Sequence, residues 1–268
     1  MEEPTTQPRG EPALKPGDSY VQSFARGLSV IRAFSAEAPA QTLTEVARRC
    51  GLTRAGARRI LLTLETLGYV RAEGRLFSLT PKILDLGFAY LSSQPLWQFA
   101  EPVMQVLASD LKESCSAAVL EGQDIVYVLR VPARKIMSVN LGVGSRLPAW
   151  CTSMGRVLLA GLPDAQLDQH LAQVKWQPFT QRTAMNLDEV RTRILQAREQ
   201  GWCLVNQELE DGLVSLAAPI VDRQGQTIAA LNIGAQVNRT PPEALLENAL
   251  PRLLDSARSI SRLLQIKT

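Results

Sequence analysis

Apolar residues recur at helical spacing over residues 24–34, where Phe24, Leu28 and Ile31 share one face; this predicts an amphipathic helix, and Pro39 interrupts the pattern beyond it. The next stretch, TLTEVARRCGLTRAGARRILLTLETLGYV (residues 42–70), carries two helical patterns in succession. Thr44 is placed to cap the first, with Val46 and Ala47 facing inward. Gly51 supplies a tight turn, Leu52 packs in its elbow, and Thr53 caps the second helix. Along that helix Ala57, Ile60, Leu61 and Leu64 make a core stripe, which leaves Arg54, Arg58 and Arg59 on other faces. Two helices joined by a glycine turn, the second rich in arginine, predict a helix-turn-helix. Two short β-like runs around Glu73-Gly74 then read as a hairpin wing whose tip is flanked by Arg71 and Arg75.

Pro81 opens a further helix at its favoured first position, and Ser92-Ser93-Gln94-Pro95 marks a boundary. Beyond it the periodicity switches back and forth. Helices are expected over residues 97–112, 153–160, 164–172, 187–199 and 242–264, and strands over 116–120, 125–131, 137–141, 214–221 and 227–233. The last two strands are joined by the turn Asp222-Arg223-Gln224-Gly225. The fold class is therefore α+β: a winged helix-turn-helix, a linker helix, and a second domain built on a mostly antiparallel sheet. The expected limits are a mobile tail over 1–20, a DNA-binding domain over 21–80, a linker over 81–94 and the second domain over 95–268.

Charge sharpens this picture. The chain of 268 residues has 29 Lys/Arg against 26 Asp/Glu, a net of +3. Residues 1–90 hold 12 basic against 9 acidic side chains, and residues 91–268 hold 17 of each, so the whole excess lies in the N-terminal third. A basic surface beside a neutral domain is what a protein shows when only one end meets phosphate. The candidate DNA-contacting residues are Thr44, Thr53, Arg54, Ala55, Gly56, Arg58, Arg59, Arg71 and Arg75. Arginine bridges guanine O6 and N7 or pins phosphates. The alternative is a winged helix used for protein contacts, with a solvated arginine face.

The chemistry of catalysis is poorly represented. His170 is the single histidine, in a context (DAQLDQHLAQV) that reads as a surface helix. Cys50, Cys115, Cys151 and Cys203 lie far apart, as buried free thiols in a reducing compartment would. Glu208, Glu210 and Asp211 read as acids of a surface loop. No cofactor, metal or enzymatic activity is expected, although an enzyme with an appended DNA-binding domain remains the rival from another class. The acidic, proline-containing start is unlike a secretory signal, and no apolar run reaches bilayer length, so a cytoplasmic protein without a membrane partner is expected. The Gly-x-Gly of LGVGSRLPAWCTSMGRVLLAG (141–161) lacks dinucleotide-fingerprint spacing. Thr152 and Ser153 sit where they cap the next helix, whose N-terminus either holds an anionic group or is simply capped.

The segments FARGLSVIRAF, the helix-turn-helix and wing, RLPAWCTSMGRVLLAG and GLVSLAAPIVDRQGQTIAALNI resemble the IclR family of bacterial regulators from about Val21 onward. LTRAGARRILLTLETLGYV and PAWCTSMGRVLLA are similar to the branch that controls the β-ketoadipate pathway. The resemblance implies a GAF-like effector domain, binding of double-stranded DNA, a homodimer or homotetramer, and RNA polymerase as a partner for a member that activates. It also implies a small organic acid effector such as protocatechuate, 4-hydroxybenzoate or β-ketoadipate. Positions similar to the family's effector pocket are Ser153, Met154, Asn206, Ser215, Asn232 and Gly234, with Arg130 or Arg146 as the candidate cation. Gly56 departs from the hydroxyl or alanine more usual at that position of the recognition helix.

Overall fold

The structure, a computed structural model, describes residues 20–93, 95–133 and 141–267. Internal contacts divide it into two compact units, Met1–Tyr90 and Leu91–Thr268. Among the described residues no helix is long and apolar enough to cross a membrane.

The first unit packs helices α1 (Gln22–Arg32), α2 (Leu43–Arg49) and α3 (Arg54–Thr66) against strands β1 (Ala40–Thr42), β2 (Val70–Glu73) and β3 (Leu76–Leu79). The strands form an antiparallel sheet in the order β1-β3-β2. Val30, Val46, Leu61, Leu64 and Val70 fill its core, and Ile60 packs partly buried against them. Burying these side chains is what holds so short a unit together, at about 1.5–3 kcal/mol for each large one. Gly51 takes φ +62°, where a Cβ would be strained, and lets Leu52 N donate to Ala47 O at 2.9 Å. That bond closes α2 and sets the turn into α3.

The cap of α2 is not the residue expected. Thr44 lies exposed within the helix, and Thr42 caps it instead. The reason is the position of Glu45, three residues after Thr42. The Glu45 amide donates to Thr42 Oγ1 at 3.3 Å, and the Glu45 carboxylate accepts from Thr42 N at 2.7 Å. Those hydrogen bonds from Thr42 hold the Glu45 carboxyl below its ordinary pKa. Thr42→Ala is expected to lower the stability of this unit by about 1 kcal/mol, read as a lower urea midpoint. Thr44→Ala should leave that midpoint nearly unmoved, and equal effects of the two would return the cap to Thr44.

Past a short 3-10 turn (Pro81–Ile83), helix α4 (Leu84–Ser93) contains the division between the units. The second unit begins with α5 (Pro95–Leu111), then β4 (Ser114–Glu121) and β5 (Asp124–Val131). β6 (Arg146–Pro148), a 3-10 turn (Ala149–Cys151), α6 (Ser153–Ala160), α7 (Asp164–Ala172) and α8 (Leu187–Gln200) follow. It ends with β7 (Cys203–Asn206), β8 (Leu213–Val221), β9 (Thr227–Gln236), α9 (Pro242–Asn248) and α10 (Leu250–Lys267). The strand expected over 137–141 falls mostly outside the described residues. The single helix expected over 242–264 is two, because Pro251 has no N–H to continue the ladder and sits in the first turn of α10.

The six strands form one antiparallel sheet in the order β6-β5-β4-β9-β8-β7. Side-chain alternation splits its faces. Ala229, Leu231, Ile233 and Ala235 of β9, with Val214, Leu216, Ala218 and Ile220 of β8, share a core with residues of α5 and α10. Ala230 and Ala217, on the opposite face, share a second core with residues of α6, α7 and α8. In this unit the candidate site lies on that second face.

Candidate functional sites: an arginine face and an enclosed cavity

In the first unit, Thr53 caps α3 by accepting from Gly56 N at 3.1 Å. Arg54, Ala55, Arg58 and Arg59 are exposed, and among the described residues no carboxylate pairs with any of the three guanidinium groups. A Cβ on Gly56 would stand 3.2 Å from the Thr53 hydroxyl, so the glycine leaves the capping oxygen room. On the wing, Gly74 turns the hairpin and Arg75 is exposed at its tip. Arg71 is engaged: its Nε donates to Ser78 Oγ at 3.1 Å and lies 3.3 Å from Glu73.

In the second unit, antiparallel register lines up polar side chains across the sheet. Arg130 of β5 pairs with Ser116 of β4, and Ser116 with Asn232 of β9. One rung along, Ser114 pairs with Gly234, and Gly234 with Ser215 of β8. All six residues line one cavity, which the N-terminus of α6 also borders through Thr152, Ser153 and Met154. Tyr127 and the apolar Leu141, Leu147, Val205 and Leu213 complete much of its wall. Arg130 Nη1 donates to Ser116 Oγ at 3.2 Å, and no carboxylate among the described residues pairs with it. Ser153 Oγ donates to Ser215 Oγ at 2.9 Å. Thr152, not Ser153, caps the helix, accepting from Gly155 N at 3.2 Å. The amides of Ser153 and Met154, in the first turn, have no carbonyl four residues back to receive them. Burial pushes the Tyr127 phenol up to about 12, against the pull of Arg130, so it stays neutral.

Two of the expected pocket residues lie elsewhere. Asn206 is one position beyond Val205 on β7, and strand alternation turns it to the other face. Its Oδ1 accepts from Gln207 Nε2 at 3.3 Å. Arg146 is spent at the sheet edge, where its Nε donates to Asp124 at 3.1 Å and its Nη2 to Glu121 O at 2.9 Å.

Glu208 also departs from expectation. Far from being a surface acid, it is buried in the cavity wall, its side chain 4% exposed. Arg156 of α6, 1% exposed, meets it through two hydrogen bonds of 2.7 and 2.6 Å. Arg193 of α8 adds a third at 2.7 Å, and Ala184 N a fourth at 3.2 Å. Burial alone would lower the Arg156 pKa; the Glu208 carboxylate overcomes that and holds it above its usual value. The acid is thus neutralised from behind and does not confront an anion entering the cavity.

His170, expected on a surface helix, is buried, because it follows Leu167 by three residues on the inward face of α7. Burial lowers its pKa, and among the described residues its Nε2 has no partner. The thiols are inert in the same way: burial pushes Cys151 up to about 12 and Cys203 up to about 11.

Comparison with known proteins gives these sites a context. The model of the IclR helix-turn-helix domain matches residues 23–74, and that of the bacterial transcriptional regulator IclR C-terminal domain matches residues 88–262. The chain is 44% identical over 242 residues to the Pca regulon regulatory protein of Pseudomonas putida, covering 90% of this chain and 83% of that one. It is 32% identical over 251 residues to the p-hydroxybenzoate hydroxylase transcriptional activator of Acinetobacter baylyi, covering 92% and 93%. A solved structure of a candidate transcriptional regulator from Rhodococcus sp. RHA1 superposes with a TM-score of 0.84 at 49% identity, covering 91% of this chain and 98% of that one. With one family model matching residues 23–74 and the other residues 88–262, this chain belongs to the IclR family of bacterial transcriptional regulators.

Proposed function

We propose that this regulator controls genes for the breakdown of aromatic acids and that a small organic acid in the second unit's cavity adjusts its hold on DNA. The observation that carries the effector reading is Arg130, a cation in the cavity wall whose side chain, among the described residues, donates to a neutral hydroxyl and pairs with no carboxylate. A carboxylate placed there gains a charge-assisted bond that Ser116 cannot supply. Ser153, Met154, Ser215, Asn232 and Gly234 surround the same space, and the open first turn of α6 favours negative charge. The names of the Pca and p-hydroxybenzoate relatives supply the class of pathway.

For DNA, the unpaired face of α3 enters the major groove, with Thr53, Arg54, Ala55, Gly56, Arg58 and Arg59 nearest the duplex. Arg75 and Arg71 reach from the wing, and Thr44 stands on the exposed start of α2. Two copies in a homodimer, or four in a tetramer, place two such units on a repeated site, and a form that activates meets RNA polymerase as well. The work is done in the cytoplasm, where the DNA is. Effector acts by binding one placement of the DNA-binding units more tightly than another, since only differential affinity shifts a population.

Fluorescence anisotropy on the gene's own upstream region, at several salt concentrations and with and without each acid, tests this. Specific binding should fall steeply with salt and change with one acid. Arg58→Gln and Arg59→Gln should each weaken binding and flatten the salt slope by about one unit where the lost contact is to phosphate, with effector affinity unchanged. Salt-insensitive binding, or unchanged DNA affinity in both variants, would remove the α3 assignment.

A further inference from the structure

Helix α3 ends in a way that ties it to the linker. Gly68 takes φ +81° just past the helix, its N–H donates to Glu65 O at 2.9 Å, and the Tyr69 N–H reaches back to Leu64 O at 2.8 Å. Those bonds leave the carbonyls of Leu67 and Gly68 without a helical N–H to accept from. Both are taken by the first residues of the linker. Thr80 Oγ1 donates to Gly68 O at 2.5 Å, and Lys82 Nζ donates to Leu67 O at 2.9 Å. The Lys82 ammonium also stands 5.3 Å from the centroid of the Tyr69 ring. Its stem runs beside Gly68, where a Cβ would meet Lys82 Cδ at 3.5 Å. Thr80 completes the clasp: its N–H donates to Tyr69 O at 2.9 Å, and its hydroxyl accepts from Lys82 N at 3.3 Å. Among the described residues no carboxylate pairs with Lys82, so its charge serves the C-terminal end of α3.

We propose that Lys82, with Thr80, is the positioning residue that couples the linker helix to α3, so that a shift of α4 reaches the arginine face instead of being absorbed at the joint. The link to effector rests on the small-acid reading above. The covalent path between the two units runs through α4, which contains their division. A change arriving along that path meets the turn Pro81–Ile83 first, and the element it has to move is α3. A free joint there would let α4 turn while α3 stayed put. The clasp removes that freedom by holding the last two carbonyls of the α3 terminus. It transmits no more free energy than its own strength, because a larger strain opens it, and this bounds the effect of losing it.

Fluorescence anisotropy of the full chain decides this, on the gene's own upstream region or, where that does not bind, on the tightest genomic fragment. Each titration is run with and without 4-hydroxybenzoate, protocatechuate and 3-oxoadipate, and calorimetry gives the affinity for each acid in the absence of DNA. Lys82→Met keeps an unbranched stem at an exposed position and removes the charge and the donor. The factor by which the active acid changes DNA affinity should fall by about two- to fivefold, the range that a cation at a helix C-terminus supports. The acid should bind the DNA-free variant as it binds the parent. Lys82→Arg, which keeps a charged donor for Leu67 O, should stay near the parent. An unchanged factor in Lys82→Met overturns the proposal, whatever its melting temperature. So does a salt slope flattened by about one unit with the factor intact, which makes Lys82 a phosphate contact. If no acid alters DNA binding by the parent, the small-acid reading falls alone and the clasp is judged without effector. A loosened joint spreads α3 over more placements, so Lys82→Met should then bind specific DNA about two- to fivefold more weakly at an unchanged salt slope. Equal binding overturns it.

Discussion

Glu208→Ala is expected to destabilise the second unit by about 3–5 kcal/mol, the usual cost of removing one partner from a buried ion pair. The variant leaves the Arg156 guanidinium nearly sealed from water, with its Nε still donating to Trp150 O at 3.0 Å. It also strands Ala184 N, which otherwise donates to the Glu208 carboxylate. A loss of this size is a large part of the stability of an ordinary domain. It would appear as a lower unfolding midpoint in tryptophan fluorescence, to which Trp150 and Trp176, 5.0 Å apart, both contribute. The charge itself is dispensable in a way that the pairing is not. Arg156→Met combined with Glu208→Leu should recover part of the loss, because two apolar side chains avoid the desolvation of two ions, while Ala184 N and Trp150 O stay without these partners. A single variant costing less than about 1 kcal/mol would mean that water reaches Arg156 when its partner is gone.

The second large effect is Gly155→Ala. A Cβ at this position would lie 2.0 Å from Ala149 O and 2.4 Å from Ala149 Cα, both backbone atoms of the 3-10 turn that precedes α6. No side-chain rotation relieves such a contact, so the turn and the helix must part. The cost should reach or exceed the upper end of the ~1–3 kcal/mol typical of overpacked cores. Because Met154 and Ser153 border the cavity next to the displaced residue, effector affinity should fall with it. Gly56→Ala provides the contrast. There the added methyl meets a side-chain hydroxyl at 3.2 Å, and the helix gains about 1 kcal/mol in propensity, so stability should stay within about that range of the parent. If both variants melt alike, the close approach at Gly155 is not what fixes the turn against α6.

What could be read from the sequence follows from the range of the forces involved. The helix-turn-helix was legible because its signals are local: a glycine turn, a threonine cap on α3 and a core stripe with helical period. The limits of α6 and α7 fell where the pattern put them, at Ser153–Ala160 and Asp164–Ala172. Strands β1, β6 and β7, of three, three and four residues, are too short for alternation to declare itself. The cavity was half visible. Ser215, Asn232 and Gly234 stand out as small or polar interruptions of apolar strands, and resemblance adds Ser153 and Met154, whereas Ser114, Ser116 and Tyr127 went unnoticed. The signal for Ser114 and Ser116 existed in the two-residue spacing they share with Asn232 and Gly234, but only the β4–β9 register converts it into a row. Glu208 was misjudged because its partner Arg156 lies 52 residues away, and three neighbouring acids look like solvent-facing charge until that partner is found.

Strand β9 serves two masters by parity. Ala229, Leu231, Ile233 and Ala235 belong to the layer beneath α5 and α10, while Asn232 and Gly234 look into the cavity. A descendant of this gene can therefore exchange Asn232 or Gly234 and acquire a taste for a different acid, leaving the four residues of that layer untouched. Specificity and stability are written on the same ten residues, yet they are free to evolve at separate rates.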